Sequence, residues 1–211
     1  MTVTDVFIHP HPRGDSTIRR MALTAREYGF DTLVVIDNPS AEYHGVSILK
    51  GAVVHEGTMK AVNAAVRKQR GSIIGVAAGE SSFNRSVIQT PGVALLTGIC
   101  QTRRNAFDHV TARFAAEKKV AIHLEIGLLI ACRGHTRQKV LTRYRELLTL
   151  QRKYEFPFAL GSGAESILDQ RSVREMILLC GLFGMEKEEV LTAFATIPEI
   201  LLESSSPRVV S

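Results

Sequence analysis

Two histidines near the start of the chain, His9 and His11, are separated by a single proline. They follow a short apolar run, Asp5–His9, whose composition predicts a β-strand. Histidines at the end of a strand are suitable ligands for a zinc or similar metal ion. The spacing therefore raises the hypothesis of a metal site, and four further side chains are available to complete it: His44, His55, Glu56 and His123.

This opening resembles that of the polymerase-and-histidinol-phosphatase family, whose members are barrel-shaped, metal-dependent phosphoesterases. That family also carries an Asp-x-His sequence after its last strand, whereas this chain has Gly161-Ser162-Gly163-Ala164 there. Because the ligand set is incomplete, we expect the chain to bind no metal. A metal-dependent phosphoesterase using His9 and His11 is kept as the alternative function.

The loop around Ser162 and Gly163 follows the last predicted strand. Its backbone N–H groups could hold a phosphate, as late loops of barrels often do. The same residues are equally compatible with a tight turn that binds nothing, and the loop lacks the Lys-Ser/Thr of a P-loop. A barrel enzyme acting on a phosphorylated metabolite is thus a further alternative. Glu125 is a lone carboxylate just past a strand, and the sequence provides no complete catalytic set.

Positive charge is concentrated in the middle of the chain. Residues 99–153 contain 12 Lys and Arg against four Asp and Glu, whereas the rest of the chain has 14 basic and 17 acidic residues. Such a surplus is typical of a surface that binds RNA or DNA, although a merely solvated basic face has the same composition. No series of aromatic residues suits the stacking of bases, so backbone contacts are expected.

Short β-rich runs alternate with amphipathic helical stretches along the chain, and seven strand candidates can be counted. This alternation predicts a parallel α/β architecture, for which a barrel and a doubly wound open sheet are both suitable. We predict one domain over residues 1–203 and a flexible tail over residues 204–211. Among the helices, we expect one at Phe107–Lys119 and a last one at Glu186–Ala195. No membrane span or secretory signal is found, so we expect a cytoplasmic protein.

Three stretches, taken in order, resemble the ribonuclease P protein component 3 family, the archaeal and eukaryotic barrel subunit. The first is Asn105–Val110 continuing through Ala115–Ile122, and the second is Phe158–Ala164. The third is Asp169–Glu175, followed by Gly184-Met185. The match covers about half of the chain, and the N-terminal half matches mainly in its rhythm of strands and helices.

Two positions depart from the family pattern. Val173 stands where many members have proline, and Gly127-Leu128 stands where many have Arg-Pro. The second departure removes one cation near the top of the barrel, and it places in doubt an RNA contact at that position.

The resemblance implies a TIM-barrel-like fold of about seven parallel strands, related to the metal-dependent phosphoesterases. It implies a subunit that braces ribonuclease P RNA. It also implies a Pop-type partner, protein component 2, with which the chain would form a heterotetramer, and further protein subunits in the same complex. The RNA, with its magnesium, would remove the 5′ leader of precursor tRNA, while the isolated chain would be inactive and bind no cofactor. The basic residues in or near the matching segments are the predicted RNA contacts: Arg103, Arg104, His109, Arg113, Lys118, Lys119, Arg171 and Arg174.

Overall fold

The structure is a computed structural model that describes residues 2–102 and 106–205. Side chains are described up to residue 200. Arg103 and Arg104, two of the predicted RNA contacts, lie outside the described residues, and so do residues 206–211 of the predicted tail. None of the described helices is long and apolar enough to span a bilayer.

Seven parallel strands form a nearly closed barrel, as the sequence predicts, and an eighth strand is attached to its side. The strands are β1 (Thr4–Ile8), β2 (Thr32–Ile36), β3 (Ala41–Tyr43), β4 (Val46–Val54), β5 (Ile73–Ala77), β6 (Leu95–Thr97), β7 (Ala121–Glu125) and β8 (Phe158–Gly161). The parallel strands are ordered β1-β2-β4-β5-β6-β7-β8, and β3 pairs in antiparallel fashion with β4. The short edge strand β3 is absent from the sequence prediction.

Helices follow most of the parallel strands and cover the outside of the barrel. Parallel strands need such crossovers, because consecutive parallel strands cannot be joined by a tight turn. Helices α3 and α5 were not predicted. The helices are α1 (Ile18–Glu27), α2 (Met59–Lys68), α3 (Ser81–Ile88), α4 (His109–Lys118), α5 (Leu128–Ala131), α6 (Gly134–Tyr154), α7 (Val173–Gly181) and α8 (Lys187–Ser205), with a 3₁₀ turn at Ile99–Gln101.

Two apolar clusters account for the core. The larger one lies between the outer face of the strands and the helices, and includes Met21, Leu96 and Tyr144. The smaller one fills the barrel. Every parallel strand except β4 contributes at least one buried, inward-facing residue to it, and partly buried side chains of β4 pack against these residues. Removing this apolar surface from water is the main stabilising contribution to the fold.

Phe7 occupies the middle of the barrel because its backbone adopts an unusual conformation. Its φ is +62°, and the pairing of β1 with β2 shifts register between Val6 and Ile8. This bulge turns the ring inward, where it meets the ring of His123 edge to face at 5.2 Å between centroids. Gly75 leaves room for the ring, since a Cβ there would lie 2.6 Å from Phe7 Cζ. The barrel centre is therefore filled by an aromatic side chain.

The seam between β1 and β8 closes without a ladder of backbone hydrogen bonds in the described sheet. The Asp5 carboxylate instead accepts hydrogen bonds from the backbone N–H and the hydroxyl of Ser162, both at 2.7 Å. Gly161 allows close approach, because a Cβ at this position would lie 1.9 Å from the Val6 carbonyl oxygen. One buried side chain thus replaces part of the missing ladder.

Helix α8 is longer than predicted, and its second half covers an end of the barrel. The sequence prediction ended this helix at Ala195, but it continues through Pro198 to Ser205. Ile197 is fully buried among the inward-facing residues of the strands, and Ile200 packs against them. The helix extends two residues into the predicted tail, and the tail over residues 204–211 stays a prediction.

Candidate functional site

Helix α4 begins at His109, two residues later than predicted, because Asp108 caps it. The Asp108 carboxylate accepts hydrogen bonds from the Thr111 backbone N–H at 2.9 Å and from its hydroxyl at 2.8 Å. Arg85 of α3 forms an ion pair with the same carboxylate. Ala112 and Ala115 are buried against the barrel, so the opposite side of the helix faces solvent. This anchoring fixes the orientation of the helix and of its exposed basic side chains.

The predicted RNA contacts in and at the end of α4 are all exposed. His109 and Arg113 lie four residues apart, in the first and second turns of the helix, and both are exposed. The guanidinium of Arg113 makes no ion pair within residues 2–102 and 106–205, so an anionic ligand has access to it. Lys118 pairs with its neighbour Glu117 at 2.8 Å, and Lys119 follows in a left-handed conformation.

The long helix α6 packs beside α4 and adds further positive charge. Some of its cations have internal roles: Arg143 pairs with Glu146, Arg152 with Glu189, and Arg137 donates to backbone carbonyls. Lys139 and Arg145 are exposed. Exposed cations of α4 and α6 form a surface that we call the basic face, and its residues are Arg113, Lys118, Lys119, Lys139 and Arg145. Several arginines of α6 are engaged within the protein and do not belong to it.

Arg171 and Arg174, the two remaining predicted contacts, lie on a different side of the barrel. The backbone N–H of Val173, at the start of α7, donates to the carbonyl of Tyr28 at the end of α1. Arg171 donates to the carbonyl oxygens of Leu168 and Gln170 at 2.7 Å each, which fixes the local loop. The structure therefore divides those predicted RNA contacts that it describes between two surfaces.

Ser162, in the predicted phosphate loop, forms hydrogen bonds with other residues of the protein. The N–H and hydroxyl groups of Ser162 both donate to Asp5, and the Ser162 hydroxyl oxygen accepts from the Ala164 N–H at 3.2 Å. The Glu125 side chain closely approaches Gly163, so that a Cβ at residue 163 would lie 2.7 Å from its carboxylate oxygen. Carboxylates on both sides of this loop disfavour a phosphate there.

Asp5 is the buried ionisable residue that the sequence reading did not single out. Burial raises its pKa from 3.8 to about 6, and the two hydrogen bonds from Ser162 oppose this increase without cancelling it. At neutral pH the folded protein therefore holds a carboxylate whose ionisation costs about 3 kcal/mol relative to the unfolded chain. An aspartate within an otherwise apolar strand is the signal that sequence reasoning could have used.

We expect the variant Asp5→Asn to change how stability depends on pH. Since the folded pKa is raised, Asp5 contributes stability below pH 3.8 that is lost as pH rises through about 6. The amide can accept the Ser162 N–H but cannot titrate. The free energy of unfolding of the wild type relative to the variant should therefore be about 2 kcal/mol higher at pH 4.5 than at pH 7.

Urea denaturation at both pH values measures this difference. Burial lowers the pKa of His9 and of His123 to about 4, which destabilises the protein as pH falls below 6.5. Both proteins share this contribution, so the difference between them isolates Asp5. A pH-independent difference would show that the pKa of Asp5 is not raised in the folded protein.

The histidines proposed as metal ligands do not converge. His9 is half-buried, its backbone N–H donates to the Ala164 carbonyl at 2.8 Å, and burial together with Arg13 lowers its pKa. His11 is exposed. His123 is buried and its Nδ1 hydrogen-bonds with the Thr97 hydroxyl at 2.9 Å. In the part of the chain that the structure describes, no three His, Cys, Asp or Glu side chains are grouped so as to hold a metal ion.

Solved structures of other proteins share this barrel fold. Crystal structures of YwqE from Bacillus subtilis and CpsB from Streptococcus pneumoniae, described as metal-dependent tyrosine phosphatases, share it at a TM-score of 0.57 and 13% identity, over 95% of each chain. An archaeal ribonuclease P structure, determined by cryo-EM with mature tRNA, contains a chain that matches at a TM-score of 0.80 and 18% identity, over 99% of this chain and 96% of that one.

The chain belongs to the RNase P subunit p30 family, whose model matches residues 2–209. Ribonuclease P protein component 3 of Methanococcoides burtonii is 31% identical over 203 residues, covering 92% of this chain and 84% of that protein. The protein of the same name from Methanosarcina acetivorans is 29% identical over 96% of this chain and 90% of its own length. Membership of this family confirms the resemblance found in the sequence, and the family consists of protein subunits of ribonuclease P.

Proposed function

We propose that this chain is a noncatalytic, RNA-binding subunit that braces the RNA of ribonuclease P. The observation that carries the proposal is the basic face, where cations of α4 and α6 are exposed. Arg103 and Arg104 precede α4 in the sequence and add to the positive charge of this part of the chain. The RNA, with its magnesium, would carry out hydrolysis at the 5′ end of tRNA.

Electrostatics explain how such a face assists an RNA. Each contact between a cation and a phosphate releases a condensed counterion, which favours binding and makes it sensitive to salt. Arginine adds two parallel hydrogen bonds to one phosphate, which fixes orientation. Neutralising phosphates allows RNA segments to approach one another at lower magnesium concentrations. Contacts of this kind recognise the shape of folded RNA rather than its sequence.

The proposal also covers the protein partners of the chain and its location in the cell. We expect the chain to pair with protein component 2, the Pop-type subunit, in a heterotetramer that joins other protein subunits in the cytoplasm. The likeness to a chain of an archaeal ribonuclease P complex supports such an assembly. Precursor tRNA would meet this chain indirectly, through the RNA, and the chain would bind no cofactor of its own.

Reconstitution of the holoenzyme tests the proposal. Precursor tRNA cleavage is measured with the cognate RNA and the other protein subunits, with and without this chain, over a range of magnesium concentrations. We expect cleavage at low magnesium to require the chain, and the chain alone to be inert. An RNA that gains nothing from the chain would contradict the proposal.

The variant His9→Ala separates this function from the phosphoesterase alternative. If His9 is a barrel residue without a catalytic role, cleavage by the reconstituted holoenzyme should remain within about twofold of the wild type. Thermal unfolding verifies that the variant is folded. A loss of cleavage or of small-phosphoester hydrolysis by more than about a hundredfold, with unchanged unfolding, would favour the alternative.

A further inference from the structure

The large apolar side chains that are most exposed within the described residues lie close together in sequence. Leu168, Leu178 and Leu182 are 78%, 64% and 55% exposed. Leu178 lies on α7, and Leu182 is the residue that ends this helix. Scattered apolar residues are normal on a protein surface, but a cluster of them is typical of a surface that binds a partner.

Helical spacing places part of this cluster on one face. Arg174, Leu178 and Leu182 follow one another at intervals of four residues, so they share a stripe that is roughly 12 Å long. The capping box formed by Ser172 and Glu175 fixes the start of the helix, with both reciprocal hydrogen bonds present. The stripe is therefore a preformed surface rather than a mobile loop.

A cavity of about 580 Å³ adjoins this stripe, between α7 and the end of α1. Its apolar wall includes Tyr28, Val173, Ile177 and Leu178. Gly29 keeps the cavity open on the α1 side, where it has a φ of +91° that disfavours any larger residue. A concave apolar site of this kind accepts a large side chain from a partner, which is how interface anchors bind.

The charges around the cavity indicate the chemistry of the partner. Arg174 and Lys187 line it together with one acidic residue, Glu27. Neither cation forms an ion pair with any residue in the described ranges. The rim is therefore positive, and a second copy of this chain would bring the same cations into proximity. A segment that carries carboxylates beside its apolar residues matches the rim better.

We infer that this surface, formed by the α7 stripe and the adjoining cavity, docks an acidic amphipathic helix of another protein subunit of the ribonucleoprotein. The inference rests on the proposed function. RNA is a poor occupant, because exposed leucines offer nothing to phosphates. Arg174 is accordingly assigned to a protein interface rather than to RNA. A helix that presents apolar residues at three- and four-residue spacing fits a groove of two to three turns.

A photo-crosslinking residue at position 178 tests the inference in the complete holoenzyme. Benzoyl-phenylalanine replaces Leu178, and the same residue replaces Ile130 on α5 as the matched control, since Ile130 is 38% exposed and does not line the cavity. The expected product from position 178 joins this chain to one of the other protein subunits. Crosslinks to RNA, to a second copy of this chain, or to nothing would each overturn the inference.

The variant Leu178→Asp provides a quantitative measurement without RNA. Binding to each purified protein subunit is followed by calorimetry, and the affinity for one of them should fall by about 30-fold, as for an interface anchor. Ile130→Asp should leave that affinity unchanged. Salt-dependent RNA binding should also be unaffected by Leu178→Asp. If cleavage requires the chain but Leu178→Asp binds every subunit normally, the inference fails while the proposed function stands.

Discussion

Replacing Phe7 with alanine is expected to lower the free energy of unfolding by about 3–5 kcal/mol. The ring is 3% exposed and fills the centre of the barrel, so its removal leaves a cavity that the closed sheet cannot readily collapse. Alanine at residue 7 would keep the backbone at a φ of +62°, so the strain of this conformation is not relieved. Urea denaturation of the two proteins measures the change.

A double-mutant cycle with Gly75 separates packing from other effects. Gly75→Ala alone should destabilise the protein by about 1–3 kcal/mol, because its methyl group would overlap the Phe7 ring. In the Phe7→Ala background the same methyl group enters vacated space, so the second change should cost at least about 1 kcal/mol less than it does alone. Additive changes would show that Phe7 does not occupy the space beside Gly75.

Removal of three arginines within α4 and in the sequence just before it is expected to weaken RNA binding strongly. The triple variant changes Arg103, Arg104 and Arg113 to alanine, and if each contacts one phosphate, the slope of log K against log salt should decrease by about 2–3. The corresponding loss of affinity is about 10- to 100-fold at low salt. Filter binding to the cognate RNA at several salt concentrations measures both quantities.

A second triple variant serves as a control with the same change in charge. Arg67, Lys68 and Arg70, at and beyond the end of α2, are exposed and lie on another part of the barrel. Their replacement by alanine should leave the salt slope nearly unchanged. If both triple variants weaken RNA binding equally, net charge rather than the basic face governs affinity, and the assignment of α4 is wrong.

The barrel could be predicted from the sequence because its strands and helices are each indicated by a pattern within a short segment. Continuous apolar runs such as Thr32–Ile36 indicate strands buried on both faces, and the intervening periodic stretches indicate helices. The short elements β3, α3 and α5 were missed, since three to eight residues carry too little periodicity. Helix α8 was ended too early, because Pro198 is normally a sign of a helix end.

The arrangement of the candidate site was harder to predict, because it depends on which polar groups become hydrogen-bond partners and because some partners are far apart in the sequence. The sequence identified the exposed cations of α4 but gave no way to see that Arg171 would bind nearby carbonyl groups. Nor did it show that Ser162 would donate to a carboxylate 157 residues away. The inward turn of Phe7 depends on a bulge in β1 and on the space left by Gly75 in β5, and no local pattern encodes such a combination.

The seam between β1 and β8 has a consequence for the order of events during synthesis and folding. Asp5 can form its hydrogen bonds with Ser162 only after Ser162 has emerged from the ribosome. Until then, while most of the chain is synthesised, β1 lacks its contacts with β8. Contacts between residues so far apart in sequence are entropically expensive to form and slow folding. During that interval one edge of β1 is open to incorrect pairing with other chains. We therefore expect barrel closure to be the late step at which a nascent chain most needs a chaperone.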